Sequence, residues 1–533
     1  MIGTIEILLS LVAVGGAIAV LARWLELPPA ILLVLTGVAL ALIPGLPRVT
    51  IAPEFVLLLV LPPIVYSSAV AMSWREFRFN LRPISLLAVG CVVFTTITAA
   101  VAVHWMLGLA WPVAFVLGAI VSPPDAVAPL SIARGMQLPR RILVILEGEG
   151  LANDATALIL YRFAAAAVSA GVFSLSHAAA MFSAIVAGEI LWGIGVGWVM
   201  LRLRRWVDDP RVEILLSMLT PYLAYLPPEQ LGGSGVLATV TTGLYISWNG
   251  LRLISSATRL QGIFFWDFLI YMVEGMVFLI TGLQARAVLS GVGGYSSFAL
   301  VLYGLIVSAV VIVARFVWTY PATYLPRWLV ASIGRRDPAP PWQWPFAISF
   351  TGVRGIVSLA AALAIPLQVA NGDAFPDRDL ILFLTFFVIL VTLVGQGLLL
   401  PALIRALGLA NAGRREHLAD AAEEFEARRQ AVAAACARLE QLASARSLPH
   451  AVVAPLRASL ADRLNNLEHR IDGQHGHKQL VEVYDDLELA LLIAEREVVN
   501  DLYRDGKLKD EARRRIEREL DLREAGLENL RGA

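Results

Sequence analysis

Glu147-Gly-Glu149-Gly-Leu-Ala-Asn153-Asp154-Ala-Thr156 lies inside an apolar run, from Ile142 to about Ala170, that is otherwise long enough to cross a bilayer. Ionisable side chains at that depth are expensive, so carboxylates there are functional candidates by default. At helical spacing Glu149 and Asn153 share a face, and Asp154 stands one step round from Asn153. A carboxylate beside a carboxamide is oxygen-rich, and it holds either a proton or a small hard cation. That is the chemistry of an ion-coupled transport site.

The rest of the chain agrees with a membrane setting. Hydrophobic residues make up 58% and charged residues 16%, against about 25% charged in a soluble chain. Mean hydropathy is +0.70. The formal net charge of zero argues against a nucleic-acid partner, yet charge is sparse up to about Gly408 and dense after it. Cys91 falls in an apolar span and Cys436 in the polar tail, so no disulfide framework is expected. Met1 to Val20 is apolar with Glu6 and no basic n-region, which reads as a retained first span.

At roughly 20 residues per crossing the sequence predicts about thirteen spans, several of them shortened or broken by Gly and Pro. Arginines support that reading. Arg23, Arg75/Arg78/Arg82, Arg134/Arg140/Arg141, Arg202/Arg204/Arg205/Arg211, Arg252/Arg259, Arg327/Arg335/Arg336 and Arg414/Arg415 all follow odd-numbered spans. The alternate loops hold little beyond Arg48, Arg286 and Arg378. The positive-inside rule then puts the N-terminus outside and the C-terminus in the cytoplasm, with the inner membrane as the location. Two domains are expected: a membrane domain over 1–410 and a cytoplasmic helical domain over 411–533. Glu416–Leu442, Leu456–Ile471, Val481–Leu502 and Asp510–Leu527 carry leucines and alanines at helical spacing. Asp472-Gly-Gln-His475-Gly-His477 and Asp505-Gly506 break the series. The plain role of this tail is dimerisation, with regulation as the other reading.

Two spans carry interruptions at matching depth. Ser122-Pro123-Pro124-Asp125 removes a backbone donor and disfavours helix before each proline. Ser349-Phe-Thr351-Gly352-Val-Arg354-Gly355 sets two glycines around an arginine. Paired interruptions of this kind point to the midplane site of a secondary transporter. Asp125 is expected to neutralise N–H groups and positive dipole ends near its break. Arg354 needs a carboxylate, and Glu149 is assigned to it so that Asp154 stays free for exchange. The plainer reading makes Glu149, Asp125 and Arg354 a packing network around the ion.

Other embedded charges get humbler expectations. Glu274 is a candidate for a cytoplasmic funnel, while Arg162 and Arg315 are expected to pair locally or to snorkel. Glu189 and Trp192, near Gly193, Gly195 and Gly197, read as helix–helix packing features.

Together these stretches resemble the monovalent cation/proton antiporter family, in the branch with the Asn-Asp motif that includes bacterial sodium/proton antiporters and animal sodium/hydrogen exchangers. The likeness rests on Ser122-Pro-Pro-Asp125-Ala-Val-Ala, Glu147-Gly-Glu-Gly-Leu-Ala-Asn153-Asp154-Ala and Gly352-Val-Arg354-Gly355, with Glu274-Gly-Met-Val-Phe-Leu-Ile-Thr-Gly282 as a weaker match. It extends over the membrane region to about Leu409. It implies an all-α, polytopic homodimer with inverted repeats and two crossed, unwound helices, containing Pro123, Pro124, Thr351, Gly352 and Gly355. It further implies that Asp154 binds cation and proton in competition, that Asn153 supports it, and that Glu149 pairs with Arg354. Asn-Asp members look electroneutral. This chain departs from the family in having Gly150 where a serine is common and Pro124 where a threonine is common. Ser122, Thr156 and backbone carbonyls are the replacements available.

The expected activity is exchange of Na+ or Li+ for H+ by alternating access, one for one, serving sodium and pH homeostasis. No cofactor is implied, and the partners are monovalent cations, protons and the bilayer. Potassium/proton exchange at the same site is the alternative, and a cation channel or a sensor signalling through the tail is a further one. An intramembrane enzyme is disfavoured. There is no His-Glu-x-x-His motif, and His104 is the one histidine well inside the membrane region.

Overall fold

The computed structural model describes residues 2–44, 55–134, 136–170, 175–207, 209–250, 253–369, 372–446, 448–471 and 475–531. Arg48, Arg252 and Asp472-Gly-Gln of the expected tail break lie outside them, as do the side chains of His475 and His477. The described chain is helical throughout, and two compact units divide at Gly413 and Arg414.

In the first unit five helices are long and apolar enough to cross a membrane, namely Leu81–Leu107, Ala178–Arg204, Ser256–Gly291, Ser297–Leu329 and Arg378–Ala406. The other crossings expected from the sequence fall on helices that are shorter, interrupted or charged. Chain chemistry sets their limits. Pro29 starts Pro29–Leu42 at a position where a missing N–H costs nothing. Ser255 and Ser296 cap Ser256–Leu283 and Ser297–Leu329 by accepting from Thr258 N (3.1 Å) and Ala299 N (3.2 Å). Gly108 closes Val92–Leu107 in the left-handed region, φ +74°.

Between apolar helices in lipid, close packing takes the place of hydrophobic association, which favours small residues at the crossings. Pro29–Leu42 lies against Ser256–Leu283 in this way. A Cβ on Gly37 would stand 2.2 Å from Leu279 O, and one on Gly282 would stand 2.2 Å from Val34 O. Glu189 does more than pack. Its buried carboxylate accepts from the backbone N–H groups of Ser234 (2.6 Å), Gly235 (3.1 Å) and Leu237 (3.1 Å), at the start of Val236–Asn249. A carboxylate there satisfies free donors and meets the positive end of the helix dipole. Trp192 donates to Leu223 O at 3.2 Å.

The second unit contains His450–Ile471, His475–Arg504 and Asp510–Arg531, preceded by Leu409–Arg446, which runs across the division. Gly506, φ +68°, makes the turn between its last two helices. Leu492, Leu520 and Leu527 form their shared core. Arg496 bridges to Asp521 (2.8 Å) and Glu524 (2.7 Å) across the same pair.

The glycine crossing gives a sharp contrast on one helix. Gly282→Val must push the helices apart, and it should lower stability by about 2 kcal/mol or more, as overpacked sites do. Gly275→Ala, whose new Cβ meets Leu33 at an ordinary 3.8 Å, should melt like the parent in detergent. Equal melting of both variants would refute this packing.

Candidate functional site

The two interrupted segments meet. Trp111–Val121 stops at Ser122, and helix resumes as Val127–Arg134. Gln343–Phe350 stops at Thr351, and helix resumes as Ile356–Leu363. Asp125 N donates to Val353 O at 2.6 Å, so each break satisfies backbone of the other. The glycines permit the contact. A Cβ on Gly355 would stand 2.5 Å from Asp125 Oδ2, and one on Gly352 would stand 2.5 Å from Arg315 Cδ.

Charges at the crossing match the helix ends they face. Asp125 Oδ1 accepts from Val127 N at 3.1 Å, on the N-terminal side of the second half-helix. Arg354 is 1% exposed and lies on the opposite end. Its Nε donates to Val121 O (2.9 Å) and its Nη2 to Ser122 O (3.3 Å), where the first half-helix leaves carbonyls free. It also donates to Gly352 O, and its backbone N–H donates to Thr392 Oγ1 at 3.0 Å.

The carboxylate expected to hold Arg354 has another partner. Glu149 forms a two-pronged pair with Arg315, Oε1–Nη1 at 2.5 Å and Oε2–Nη2 at 2.7 Å, with both side chains almost wholly buried. Arg315 also donates to Ile348 O from Nε (3.1 Å) and Nη2 (3.0 Å). The assignment of Glu149 to Arg354, and the expectation that Arg315 snorkels or pairs locally, are therefore corrected. The reason is geometric: Arg354 sits beside free carbonyls that absorb its donors, whereas Arg315 enters from Ser297–Leu329 straight onto Glu149. Thr392, in the π-helical turn Val391–Gln396, is a second participant the sequence does not flag. Both residues carry a weak signal, an arginine in the middle of an apolar helix and a threonine in an apolar span.

Arg140–Ala170 carries the Asn-Asp pair past the crossing. Asn153 is fully buried, and its Nδ2 donates to Pro124 O at 2.6 Å. That fixes Asn153 Oδ1 as the free end, and among the described residues neither it nor Asp125 Oδ2 has a donor. Asp154 follows Asn153 in the same helix and is half-buried. Ser122 Oγ and Thr156 Oγ1 send their protons back to Ala119 O (2.9 Å) and Ala152 O (3.4 Å), which leaves their lone pairs as acceptors. Thr351 donates likewise to Ile348 O, at 3.0 Å. A small cavity beside the crossing is lined by Pro124, Asp125, Glu149, Gly150, Arg315 and Thr351 among others. Acceptors without donors are costly when buried, and a proton or a cation is what each lacks. Among the described residues no three His, Cys, Asp or Glu side chains cluster as a metal site.

Glu274 stands apart, half-buried on Ser256–Leu283 and not among the residues lining this cavity. Arg162 pairs with Glu229 and donates to Gly233 O at 2.6 Å.

The family model described as "Sodium/hydrogen exchanger, transmembrane" matches residues 8–406. The chain belongs to the sodium/hydrogen exchanger family. A Na+/H+ exchanger of Mycobacterium tuberculosis is 38% identical over 407 residues, covering 75% of this chain and 74% of that one. A sodium, potassium, lithium and rubidium/H+ antiporter of Bacillus subtilis is 33% identical over 412 residues, covering 74% and 60%. The solved sodium proton antiporter of Methanocaldococcus jannaschii shares the fold, with a TM-score of 0.60 at 20% identity over 77% of this chain and 99% of that one. Fold and family are thus those of polytopic membrane antiporters.

Gly150, where this exchanger departs from the common serine, has a structural account. A Cβ there would stand 2.4 Å from Ala126 Cβ, so the Arg140–Ala170 helix sits tight against the end of the first break. Gly150→Ser should cost about 1–3 kcal/mol, and adding Ala126→Gly should restore most of it. Thermal melting of both variants checks this, and failure of the second change to rescue would show that the contact is not the cause.

The buried pair predicts an unequal pattern. Glu149→Gln should cost about 3–5 kcal/mol by leaving a guanidinium unpaired, and replacing both partners, Glu149→Leu with Arg315→Met, should cost less. Rescue by Arg354→Met instead of Arg315→Met would mean that Glu149 serves the other arginine.

Proposed function

We propose that this exchanger swaps Na+ or Li+ for H+ at Asp154, one for one and by alternating access. What carries the reading is a pair of buried oxygens at the crossing that lack donors among the described residues, Asn153 Oδ1 and Asp125 Oδ2, with the half-buried Asp154 next to Asn153 in the chain. A carboxylate coordinates a cation, whereas the protonated acid presents a donor to the same neighbours. One group therefore carries either ion, and exchange follows when the site faces each side in turn. Ser122, where the first half-helix ends, and Thr156, on Arg140–Ala170, offer further hydroxyl oxygens.

Charge balance supports the one-for-one ratio. Glu149, Asp125 and Asp154 bring three negative charges, and Arg315 and Arg354 bring two positive ones. One negative charge is left over, and a monovalent cation or a proton cancels it equally. Low dielectric makes that parity count, because an uncompensated buried charge is costly.

Potassium is the second reading. It is favoured by the Bacillus subtilis relative, whose name includes potassium and rubidium, and by Gly150, which removes a hydroxyl near the ion. In either case the membrane domain is placed in the inner membrane with the N-terminus outside, as a homodimer, and the helical tail in the cytoplasm.

Purified protein in liposomes with an internal pH-sensitive dye tests the proposal. Sodium or lithium added outside should move protons with or without a potential clamp, and Asp154→Asn should abolish this while melting like the parent. Proton movement retained by Asp154→Asn would refute the site. Movement with potassium alone would keep the site and replace the cation.

A further inference from the structure

A second charged constellation lies away from the crossing, among residues of the arginine-rich loops. Arg82, Arg141 and Arg327 converge on one carboxylate, Asp337. Arg327 Nη2 lies 2.7 Å from Oδ2 and Arg141 Nη2 lies 2.8 Å from Oδ1, while Arg82 also reaches Oδ2. Arg327 Nε further donates to Asp337 O at 3.1 Å, and Arg141 Nε donates to Asn80 Oδ1 at 3.0 Å. The nearby Glu76 is taken by Arg140, with Oε2–Nη2 at 3.0 Å. Among the described residues, these three guanidiniums share one carboxylate, an excess of two positive charges. Arg327 keeps only 8% of its side chain exposed, so this excess is held in a sheltered place rather than spread in water.

The excess charge borders a small cavity, a cleft that is partly open to the outside of the molecule. Arg141 and Arg327 form its cationic side, and Leu86, Ile145, Ala322 and Trp344 contribute to a mostly apolar remainder. Leu86 and Ala322 belong to Leu81–Leu107 and Ser297–Leu329, two of the helices that cross the membrane. The cavity is thus cationic on one side and apolar on the other, and its apolar side is built from membrane-crossing helices.

We propose that this cavity binds an anionic phospholipid, its phosphate on Arg141 and Arg327 and its glycerol and upper acyl carbons against the apolar wall. Guanidinium presents paired donors that match phosphate oxygens, and basic pockets between membrane helices suit acidic headgroups. The apolar wall selects a lipid over free phosphate, which has nothing to place there. Asp337 positions the arginines and prevents their mutual repulsion from splaying them. The bound lipid would tie together the segments that carry Arg82, Arg141 and Arg327, of which Arg140–Ala170 and Ser297–Leu329 also carry Glu149 and Arg315. This inference does not depend on the identity of the transported cation.

The test uses the full chain, purified in neutral detergent, with lipid binding counted by native mass spectrometry and stability followed by melting. Phosphatidylglycerol should remain bound and raise the melting temperature; phosphatidylcholine and inorganic phosphate should do neither. Arg141→Gln should weaken phosphatidylglycerol binding about tenfold, the size expected for one charge-assisted contact. Ala322→Phe, which fills the cavity and keeps every arginine, should weaken it as well. Arg202→Gln, an exposed arginine on Leu175–Arg204, should leave it unchanged. Equal binding of phosphatidylcholine, an equal effect of phosphate alone, or undiminished binding by Ala322→Phe would overturn the proposal. If Arg141→Gln does not fold, the cavity-filling variant still decides.

Discussion

Backbone that leaves the helix at membrane depth must find partners inside the protein, because lipid offers none. The crossing of the two broken helices is a solution to that constraint, and the candidate site is a consequence of it. Asp125 N donates to Val353 O, Arg354 takes the carbonyls of Val121 and Ser122, and Asn153 takes the carbonyl of Pro124. Each bond removes an unsatisfied group and also fixes a functional one. Donation to Pro124 O decides which way the Asn153 carboxamide points, and so leaves an oxygen free for an ion.

Electrostatics then sort two arginines into different work. Arg354 is held by carbonyl dipoles at a helix end, where a cation is favoured without a carboxylate. Arg315 is held by Glu149 and by Ile348 O, which fastens Ser297–Leu329 to Arg140–Ala170 and to Gln343–Phe350. The division matters for exchange. With Glu149 neutralised by Arg315, Asp125 and Asp154 remain as the carboxylates of the two motifs that no arginine is seen to neutralise among the described residues. A glutamate and an arginine left unpaired at that depth would each be a buried charge without compensation, which is costly.

The sequence made the depth of these features legible, but not their direction. Ser122-Pro-Pro-Asp125 and Gly352-Val-Arg354-Gly355 declare their breaks because proline and paired glycines act on the backbone itself. The Asn-Asp pair declares itself because carboxylates in an apolar run are expensive. Which arginine meets Glu149 is a matter of rotation about helix axes and of contacts between residues 166 apart in the chain, and apolar periodicity does not encode it. The same limit hides Thr392. A threonine in an apolar span is ordinary, and only the π-helical turn that swings it toward Arg354 N gives it a role. Glu189 shows the reverse error of scale, since a residue read as packing turns out to cap a helix almost fifty positions away.

Gly150 and Gly355 show how steric space and ion chemistry become one problem. The Arg140–Ala170 helix approaches the first break until no Cβ fits at position 150, and the second break approaches until none fits at position 355. These approaches bring Asn153 and Asp125 to the crossing. A serine at position 150 would bring an oxygen to the ion but hold the helix off Ala126. This chain has the shorter distance and forgoes the hydroxyl. The free oxygens at the crossing are therefore held in position by backbone contacts, the carboxamide on Pro124 O and the carboxylate of Asp125 on Val127 N. The steric fit that removes a hydroxyl at position 150 is the same fit that brings these two groups to the break.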